Sequence, residues 1–375
     1  MRVRKLAGLA AYVLFVAVFV EISLQLFYYA MAGDFLFNRS APPLYQSEPY
    51  AGYMNRPGLS YDHHTSEYEA RYYTNQAGFR VAKPGLEYSV RKPANTYRIV
   101  LLGPSFAYGW GVDYDKSFAA LLPRLLAERG FAQGRKIELI DAGVPSLEPA
   151  QQLNWYEHVG KKYQPDLVIQ FIYGSMAVKS NPRSSMAADA KGYLIRSDLS
   201  ASQRWRERAK HFATVFYGWM LWTDFDAWRN ARPAAPNGAV MGAGRELVQQ
   251  TKFDLDKPGI RDATLFYDRL AKTVRESGAR LQIVYFPLSY VIYPDDVGRW
   301  RHLGVRNVEA QEAFDAAFVS YLNGRHIPAV DITDDLRKAA VHEKRLYYWL
   351  DIHWTPEGNL AAARAVADTL LRTAG

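Results

Sequence analysis

The stretch RIVLLGPSFAYGWGV, residues 98–112, decides the fold class of this 375-residue chain. Its apolar run at 99–102 ends at Gly103 and is typical of a buried strand. A glycine-rich turn follows and carries Ser105. Because ligands bind beyond the carboxyl ends of strands in open α/β sheets, this serine could present its hydroxyl and its backbone N–H to a substrate. The turn alone does not separate that role from a structural one.

Strands and helices alternate from this stretch to the end of the chain. Short apolar runs predict the strands, and amphipathic periods predict the helices. Such alternation implies an α/β domain with a parallel sheet covered on both faces, here over residues 98–375 with five strands. Beyond the first strand, we predict strands at 137–140, 167–172, 281–286 and 327–331, and helices at 116–129, 151–162, 261–277, 308–322 and 356–373.

A long segment between the third and fourth predicted strands interrupts the alternation. We interpret it as a helical insert at about 195–245, which includes a loop containing Pro233, Pro236 and Gly238. Residues 202–228 of the insert are rich in Trp, Phe and Tyr. Two interpretations remain open: the aromatic helix packs on its own domain, or it faces lipid or a partner protein.

The first 97 residues divide into two parts. Residues 1–32 read as a membrane anchor: Arg2, Arg4 and Lys5 precede an apolar stretch interrupted at Glu21, which is long enough to cross a bilayer. The cations predict a cytoplasmic N-terminus, and Glu21 would lie near the outer interface or against a partner. A cleaved signal peptide and a buried soluble helix are the alternatives. Residues 33–97 have no helical period and predict an irregular collar with short strands.

Composition excludes several classes of function. The chain has no cysteine, so disulfides, thiolate metal sites and a cysteine nucleophile are excluded. Its formal charge of +8 is not concentrated in a recognisable nucleic-acid motif, and we predict no nucleic-acid partner. The histidines show no ligand spacing, so we predict no metal and no cofactor.

A second chemical motif precedes the last predicted helix. Asp351 and His353 are two residues apart, and in an extended segment such residues project to the same side. The pair can therefore supply a general base and the carboxylate that orients it, which is what a serine nucleophile needs. Taken alone, the motif is also compatible with a capping loop.

Together these blocks resemble the SGNH/GDSL hydrolase family, from about Tyr72 to the end. The sequence GPSF at 103–106 is similar to the family's Gly-Asp-Ser-Phe block, and DAG at 141–143 to its second block. Asp351-x-His353 resembles a short form of the last block, and NQAGFR at 75–80 a lead-in of membrane-anchored bacterial members. The resemblance implies a three-layer, flavodoxin-like domain with Ser105, His353 and Asp351 as catalytic residues.

The chain also departs from the family pattern. Pro104 replaces the aspartate before the nucleophile, and Asp141 replaces an asparagine. No asparagine follows the third strand until residue 181, although the family takes an oxyanion donor there. The resemblance therefore implies an oxyanion site formed by the N–H groups of Ser105 and Gly143, with Gly174 or Ser175 as a substitute donor.

The resemblance implies serine-dependent acyl transfer on O-acyl esters, most simply O-acetyl esters, of a glycan outside the cytoplasm. We expect a polysaccharide O-acetyltransferase of the bacterial inner membrane, single-pass, with a periplasmic catalytic domain. Anchored relatives work beside membrane-bound O-acyltransferases, so such an enzyme is the expected partner. A carbohydrate acetylesterase and a non-enzymatic glycan-binding or assembly subunit are the alternatives.

Overall fold

The structure is a computed structural model. It describes residues 2–32, 35–38, 42–179, 186–196, 198–229, 252–300, 305 and 307–374. The strands are β1 (Tyr45–Glu48), β2 (Gly52–Asn55), β3 (Ser60–His64), β4 (Glu69–Thr74), β5 (Arg80–Val81), β6 (Thr96–Leu102), β7 (Lys136–Asp141), β8 (Leu167–Ile172), β9 (Met186–Ala188), β10 (Leu194–Arg196), β11 (Arg280–Tyr285) and β12 (Ala329–Asp331).

Helices connect these strands on both faces of the main sheet. They are α1 (Arg2–Ala32), α2 (Ser105–Tyr108), α3 (Phe118–Glu128), α4 (Pro149–His158), α5 (Ala201–Ala209), α6 (Ala213–Arg229), α7 (Pro258–Glu276), α8 (Ser289–Ile292), α9 (Asp296–Arg299), α10 (Val308–Gly324), α11 (Thr333–His342) and α12 (Pro356–Ala374). Short 3₁₀ turns lie at Leu36–Asn38, Tyr114–Lys116, Gly160–Tyr163 and Gly174–Val178.

Five parallel strands form one side of the main sheet, in the order β12-β11-β8-β6-β7. Numbered along the chain, this is the 2-1-3-4-5 order of flavodoxin-like folds. The predicted three-layer α/β fold class is thus confirmed. The order reverses between β6 and β8, and ligands of such sheets bind at that switch point. Ser105 follows β6 there.

The segment before residue 98 is more ordered than the predicted collar. The antiparallel strands β5, β4 and β3 continue the sheet beyond β7, which makes it eight-stranded. Buried and exposed residues alternate along most of β4, with Ala70 and Tyr72 buried. Tyr72 gives no clear apolar signal in sequence, because its ring packs inward while its hydroxyl group forms hydrogen bonds with His63 and the N–H of Gly111.

Two apolar cores lie on opposite faces of the sheet. One packs α4, α7 and α10 against the strands, around residues such as Tyr267 and Phe318. The other packs α3 and α12, around residues such as Phe171 and Trp354. The predicted helix at 151–162 is divided into α4 and a 3₁₀ turn at Gly160, where a Cβ atom would lie 2.7 Å from the Trp155 ring.

The N-terminal helix α1 contacts α6 and the 3₁₀ turn at Leu36–Asn38. Its stretch Lys5–Ala30, 26 residues, has a mean hydropathy of 2.2, and none of its apolar window is buried. A core helix would be covered, so the finding is consistent with membrane anchoring and disfavours the buried-helix alternative. A signal peptide has a similar composition, and that alternative stays open. Within the predicted insert, α5 and α6 are described, while residues 230–251 lie outside the described part.

Candidate active site

Ser105 is the first residue of the short helix α2, directly beyond the carboxyl end of β6. The turn needs glycine before the serine, since a Cβ atom on Gly103 would lie 2.6 Å from the Ala107 Cβ and 2.9 Å from the Phe171 Cβ. Gly109 then ends α2 in the left-handed conformation at φ 72°. The local sequence thus folds into a tight strand-turn-helix unit with Ser105 at its apex.

The structure brings Ser105, His353 and Asp351 together. The Nε2 atom of His353 lies 2.6 Å from the Oγ atom of Ser105. The Nδ1 atom of the same ring forms a hydrogen bond with Oδ1 of Asp351. With the proton on Nδ1, the ring donates to the carboxylate and Nε2 is free to accept the serine proton. This is the geometry of a nucleophile, a base and an orienting acid.

Asp351 is held as an anion. The Tyr68 hydroxyl donates to Oδ2 at 2.9 Å, and the backbone N–H of His353 donates to Oδ1 at 3.1 Å. Burial raises the pKa of Asp351, but the charge of His353 and these hydrogen bonds outweigh burial and lower it to about 2. The carboxylate therefore stays ionised at every pH at which such an enzyme would work.

Glu67 also stabilises the loop that carries Asp351 and His353, and no sequence pattern indicated this role. Its carboxylate accepts hydrogen bonds from three successive backbone N–H groups, those of Trp349, Leu350 and Asp351. Burial raises the pKa of Glu67, against the effect of the N–H donors. A charged side chain in an exposed-looking hairpin gives no sequence signal for this role, because its partners are backbone groups 282–284 residues away.

Aromatic rings from the collar and the nucleophile loop surround the histidine. The Trp110 ring lies 5.6 Å from the His353 ring and 4.9 Å from the His63 ring, centroid to centroid. His63 Nδ1 lies 3.0 Å from the Tyr72 hydroxyl, and burial lowers the pKa of His63 to about 4. His63 is thus neutral near the site, whereas its neighbour His64 is exposed beside Glu69.

The lead-in motif at 75–80 supports the nucleophile loop. The buried guanidinium of Arg80 donates to the carbonyl groups of Tyr108, Gly109 and Val112, and stacks on the rings of Tyr72 and Tyr108 at 4.7 and 4.8 Å. These carbonyl groups follow α2, where a helix end lacks partners of its own. Arg80 therefore fixes the loop that carries Ser105.

The predicted oxyanion donors differ in the hydrogen-bond partners that their N–H groups have in this structure. Ser105 begins a helix, where its N–H has no partner within that helix. The N–H of Gly143 donates to Oδ1 of Asp141 at 2.9 Å, and that of Gly174 donates to the Tyr285 hydroxyl at 2.6 Å. Both groups are therefore already bonded in this structure, because a carboxylate and a phenol lie beside them. The side chain of Ser175 lies outside the described residues.

Asp141, which stands where the family has asparagine, is fully buried. Burial raises its pKa to about 7, while the charge of Arg80 and the hydrogen bond from Gly143 act in the opposite direction. Its Oδ2 atom has no hydrogen-bond partner in the described part of the chain. Among the described residues, no group of three or more His, Asp or Glu is placed to hold a metal ion.

Comparison with known proteins agrees with the sequence blocks. Residues 244–375 match the family model of the SGNH hydrolase-like domain of the acetyltransferase AlgX. That segment includes Asp351 and His353 but not Ser105. The chain is also 22% identical over 190 residues to a probable alginate O-acetylase AlgJ of Pseudomonas fluorescens. The match covers 48% of this chain and 46% of that protein, so the chain spans about half the length of this curated relative.

Solved structures with low overall similarity include an α/β hydrolase and an acetyl xylan esterase. An α/β hydrolase from the Lake Arreo metagenome in Spain is 15% identical, with 74% of this chain and 95% of that chain covered and a TM-score of 0.39. The acetyl xylan esterase AlAXEase is 13% identical, with 72% and 98% covered and a TM-score of 0.40. The C-terminal part of the chain is thus similar to the SGNH hydrolase-like domain of the acetyltransferase AlgX, and about half of the chain is similar to part of a probable alginate O-acetylase.

Proposed function

We propose that the protein is a serine-dependent acyltransferase that places O-acetyl groups on an extracytoplasmic polysaccharide. The observation that carries the proposal is the hydrogen-bonded chain from Ser105 through His353 to Asp351. The matches to an acetyltransferase domain and to an alginate O-acetylase support the acetyl group and a glycan acceptor.

In the first half-reaction, the Ser105 oxygen attacks the ester carbonyl of the donor as His353 Nε2 takes its proton. The carbon–oxygen bond to the donor alcohol breaks, and His353 returns the proton to that leaving oxygen. An acetyl ester on Ser105 remains. In the second half-reaction, a glycan hydroxyl attacks this ester, His353 takes its proton, and Ser105 recovers the proton. Asp351 balances the imidazolium in both halves.

The oxyanion that forms in each half-reaction needs donors. We propose the N–H of Ser105 as one of them, with Gly143, Gly174 and Ser175 as the further candidates. Gly143 and Gly174 must exchange their present partners, Asp141 and Tyr285, to contribute. Removing one such donor lowers rates by about 10²–10³-fold in other enzymes, so we expect slow transfer to water. An acetylesterase with the same triad is the second candidate.

The proposed topology follows from α1. Because Arg2, Arg4 and Lys5 precede the apolar span, we propose that the start of the helix lies in the cytoplasm of a bacterial cell and the catalytic domain in the periplasm. The resemblance to anchored SGNH hydrolases implies a membrane-bound O-acyltransferase, so we further propose such an enzyme as the partner that delivers acetyl groups.

Product analysis separates the candidate functions. The full-length protein is incubated with an aryl acetate, with and without glycan oligosaccharides, and products are identified by mass. Acetylated oligosaccharide is expected from the acyltransferase, and free acetate in equal amounts with and without oligosaccharide from an esterase. Glycan binding without either product would support the non-enzymatic alternative and contradict the proposal.

A further inference from the structure

The insert contains a cavity of about 380 Å³ that no part of the proposed chemistry uses. It lies between α5, α6 and the end of β10. Its wall combines three cations with two indole rings, and the residues that matter here are Arg196, Arg206, Lys210, Trp205 and Trp219.

The side chains that line this cavity carry a net positive charge. Two of its three cations have carboxylate partners: Lys210 Nζ lies 2.9 Å from Glu207 in the lining, and Arg196 pairs with Asp198 at 2.9 Å beside it, so Arg206 supplies the surplus positive charge. The same ammonium group lies 4.7 Å from the centre of the Trp219 ring. A site with surplus positive charge beside aromatic rings suits an anion that carries an apolar tail.

The cavity is tied directly to the apolar helix α1. The Glu21 carboxylate accepts hydrogen bonds from the backbone N–H groups of Ala213 and Thr214 at 2.7 and 2.9 Å, and from the Thr214 hydroxyl at 2.8 Å. It thereby caps the N-terminus of α6, where a negative charge is favourable. Gln25 donates to the His211 carbonyl at 3.0 Å. The unexpected acid in the apolar run is thus a partner of the insert.

The length of α1 determines where the cavity lies relative to the membrane. A hydrocarbon core of about 30 Å is crossed by about 20 helical residues, so a span that begins at Lys5 ends near Gln25. Glu21 and Gln25 hold the turn between α5 and α6, which therefore lies at the border between hydrocarbon and headgroups. This placement does not depend on which side of the membrane the domain faces.

The surface around the turn fits that border. Phe212 in the turn and Trp205 in α5 have exposed fractions of 60% and 71%. Such an apolar and aromatic rim, next to a helix rich in arginine, is typical of segments that lie in the membrane interface. It is not the packing of an aromatic helix in its own core.

We propose that the cavity binds the phosphate headgroup of an anionic phospholipid in the leaflet that surrounds the C-terminal end of α1. Arg206 and Lys210 contact the phosphate, Trp205 and Trp219 flank it, and the acyl chains run along α1 and the exposed rim. The lipid fixes the insert against the membrane and so sets the height of the domain above it. This inference is independent of the proposed catalysis.

The test uses the full-length protein, released from nanodiscs that contain equal phosphatidylglycerol and phosphatidylcholine, with retained lipids counted by native mass spectrometry. We expect phosphatidylglycerol to be retained in preference by about fivefold or more per cation engaged. The double variant R206Q/K210Q should lose that preference, and R206Q alone should lose part of it while the Lys210–Glu207 pair stays.

The matched control is R204Q/R208Q, which removes the same charge from the same helix at positions that do not line the cavity. It should retain the wild-type preference. An equal loss in both double variants, or no preference in the wild type, would overturn the proposal. Binding of inorganic phosphate in the millimolar range together with no preference for phosphatidylglycerol would also overturn it, since the cavity would then recognise phosphate and not a lipid. Melting curves confirm that the variants are folded.

Discussion

Two regions build the candidate site in different ways. The parallel part of the sheet supplies the groups proposed to react, because Ser105 follows β6 and the Asp351-His353 loop precedes α12. The antiparallel hairpin at 60–81 supplies no reacting group, yet Glu67, Tyr68 and Arg80 bond to the loops on which those groups stand. The reacting groups of the site and the contacts that hold them in place thus come from different segments, so a substitution can remove one without the other.

The largest effect is expected from the reacting set. Replacing Asp351 with Asn removes the charge that balances the imidazolium and disturbs the histidine tautomer. Acetyl transfer should fall by about 10³–10⁴-fold, with the melting temperature nearly unchanged. The exposed Asp295→Asn is the matched control and should keep full activity. Rates within tenfold of wild type for Asp351→Asn would remove Asp351 from the mechanism.

The hairpin should affect folding as well as activity. Arg80→Ala leaves three loop carbonyl groups without their donor and opens a hole between two tyrosine rings, so we expect a loss of about 3 kcal/mol or more. For a domain of this size that is about 5–10 °C in melting temperature. Arg71→Ala in the same hairpin, where the side chain is an exposed partner of Asp62, should leave the melting temperature unchanged. Equal shifts for the two variants would contradict the assigned role of Arg80.

Substitution of Glu67 should change catalysis with little effect on folding, unlike substitution of Arg80. Glu67→Ala leaves three N–H groups of the acid loop unpaired, and kcat should fall by about 10–100-fold with KM nearly constant. Glu67→Gln should recover part of the loss, since its amide oxygen still accepts. Glu69→Ala removes an exposed carboxylate of the same hairpin and serves as control. A change in KM alone would show that Glu67 contacts substrate and does not position the loop.

The smallest expected effect concerns Asp141, which lies where β5 of the antiparallel region pairs with β7 of the parallel region. The pKa of buried Asp141, about 7, lies above that of an exposed aspartate, so the fold binds this proton more tightly than the unfolded chain. Stability from this group is therefore present at low pH and is lost as pH rises toward and through 7, by about 1 kcal/mol between pH 6 and 8. Asp141→Asn should remove that part of the pH dependence in denaturant titrations. An unchanged pH profile would mean that Asp141 is ionised throughout.

The sequence predicted the parallel half of the fold well because each strand there is a continuous apolar run, and such runs are characteristic of doubly covered sheets. Ser105, Asp351 and His353 could be proposed because strand ends and helix starts are marked by Gly103 and Pro356. Both features are local. The strands β3 to β5 lack them, since β3 has no buried residue and the buried residues of β4 and β5 are a mixed set: Ala70, Tyr72, Thr74, Arg80 and Val81.

The supporting contacts could not be predicted from local patterns. Glu67 and Arg80 bind backbone groups, which any residue type provides, and the Glu67 partners are nearly 300 positions away along the chain. The same holds for Glu21, which looked like a penalty in an apolar helix and instead caps α6 across a separation of 192–193 residues. The prediction of Gly143 and Gly174 as oxyanion donors did not consider Asp141 and Tyr285, whose side chains accept hydrogen bonds from these N–H groups.

The central claim, that Ser105 carries the acyl group, is tested most directly by mass spectrometry of the intact protein quenched during reaction with an aryl acetate. We predict a mass increase of one acetyl group, located on Ser105 by peptide sequencing, that is absent in Ser105→Ala and strongly reduced in His353→Ala. Acetyl transfer at the wild-type rate by Ser105→Ala, or a label on another residue that persists in that variant, would contradict the account.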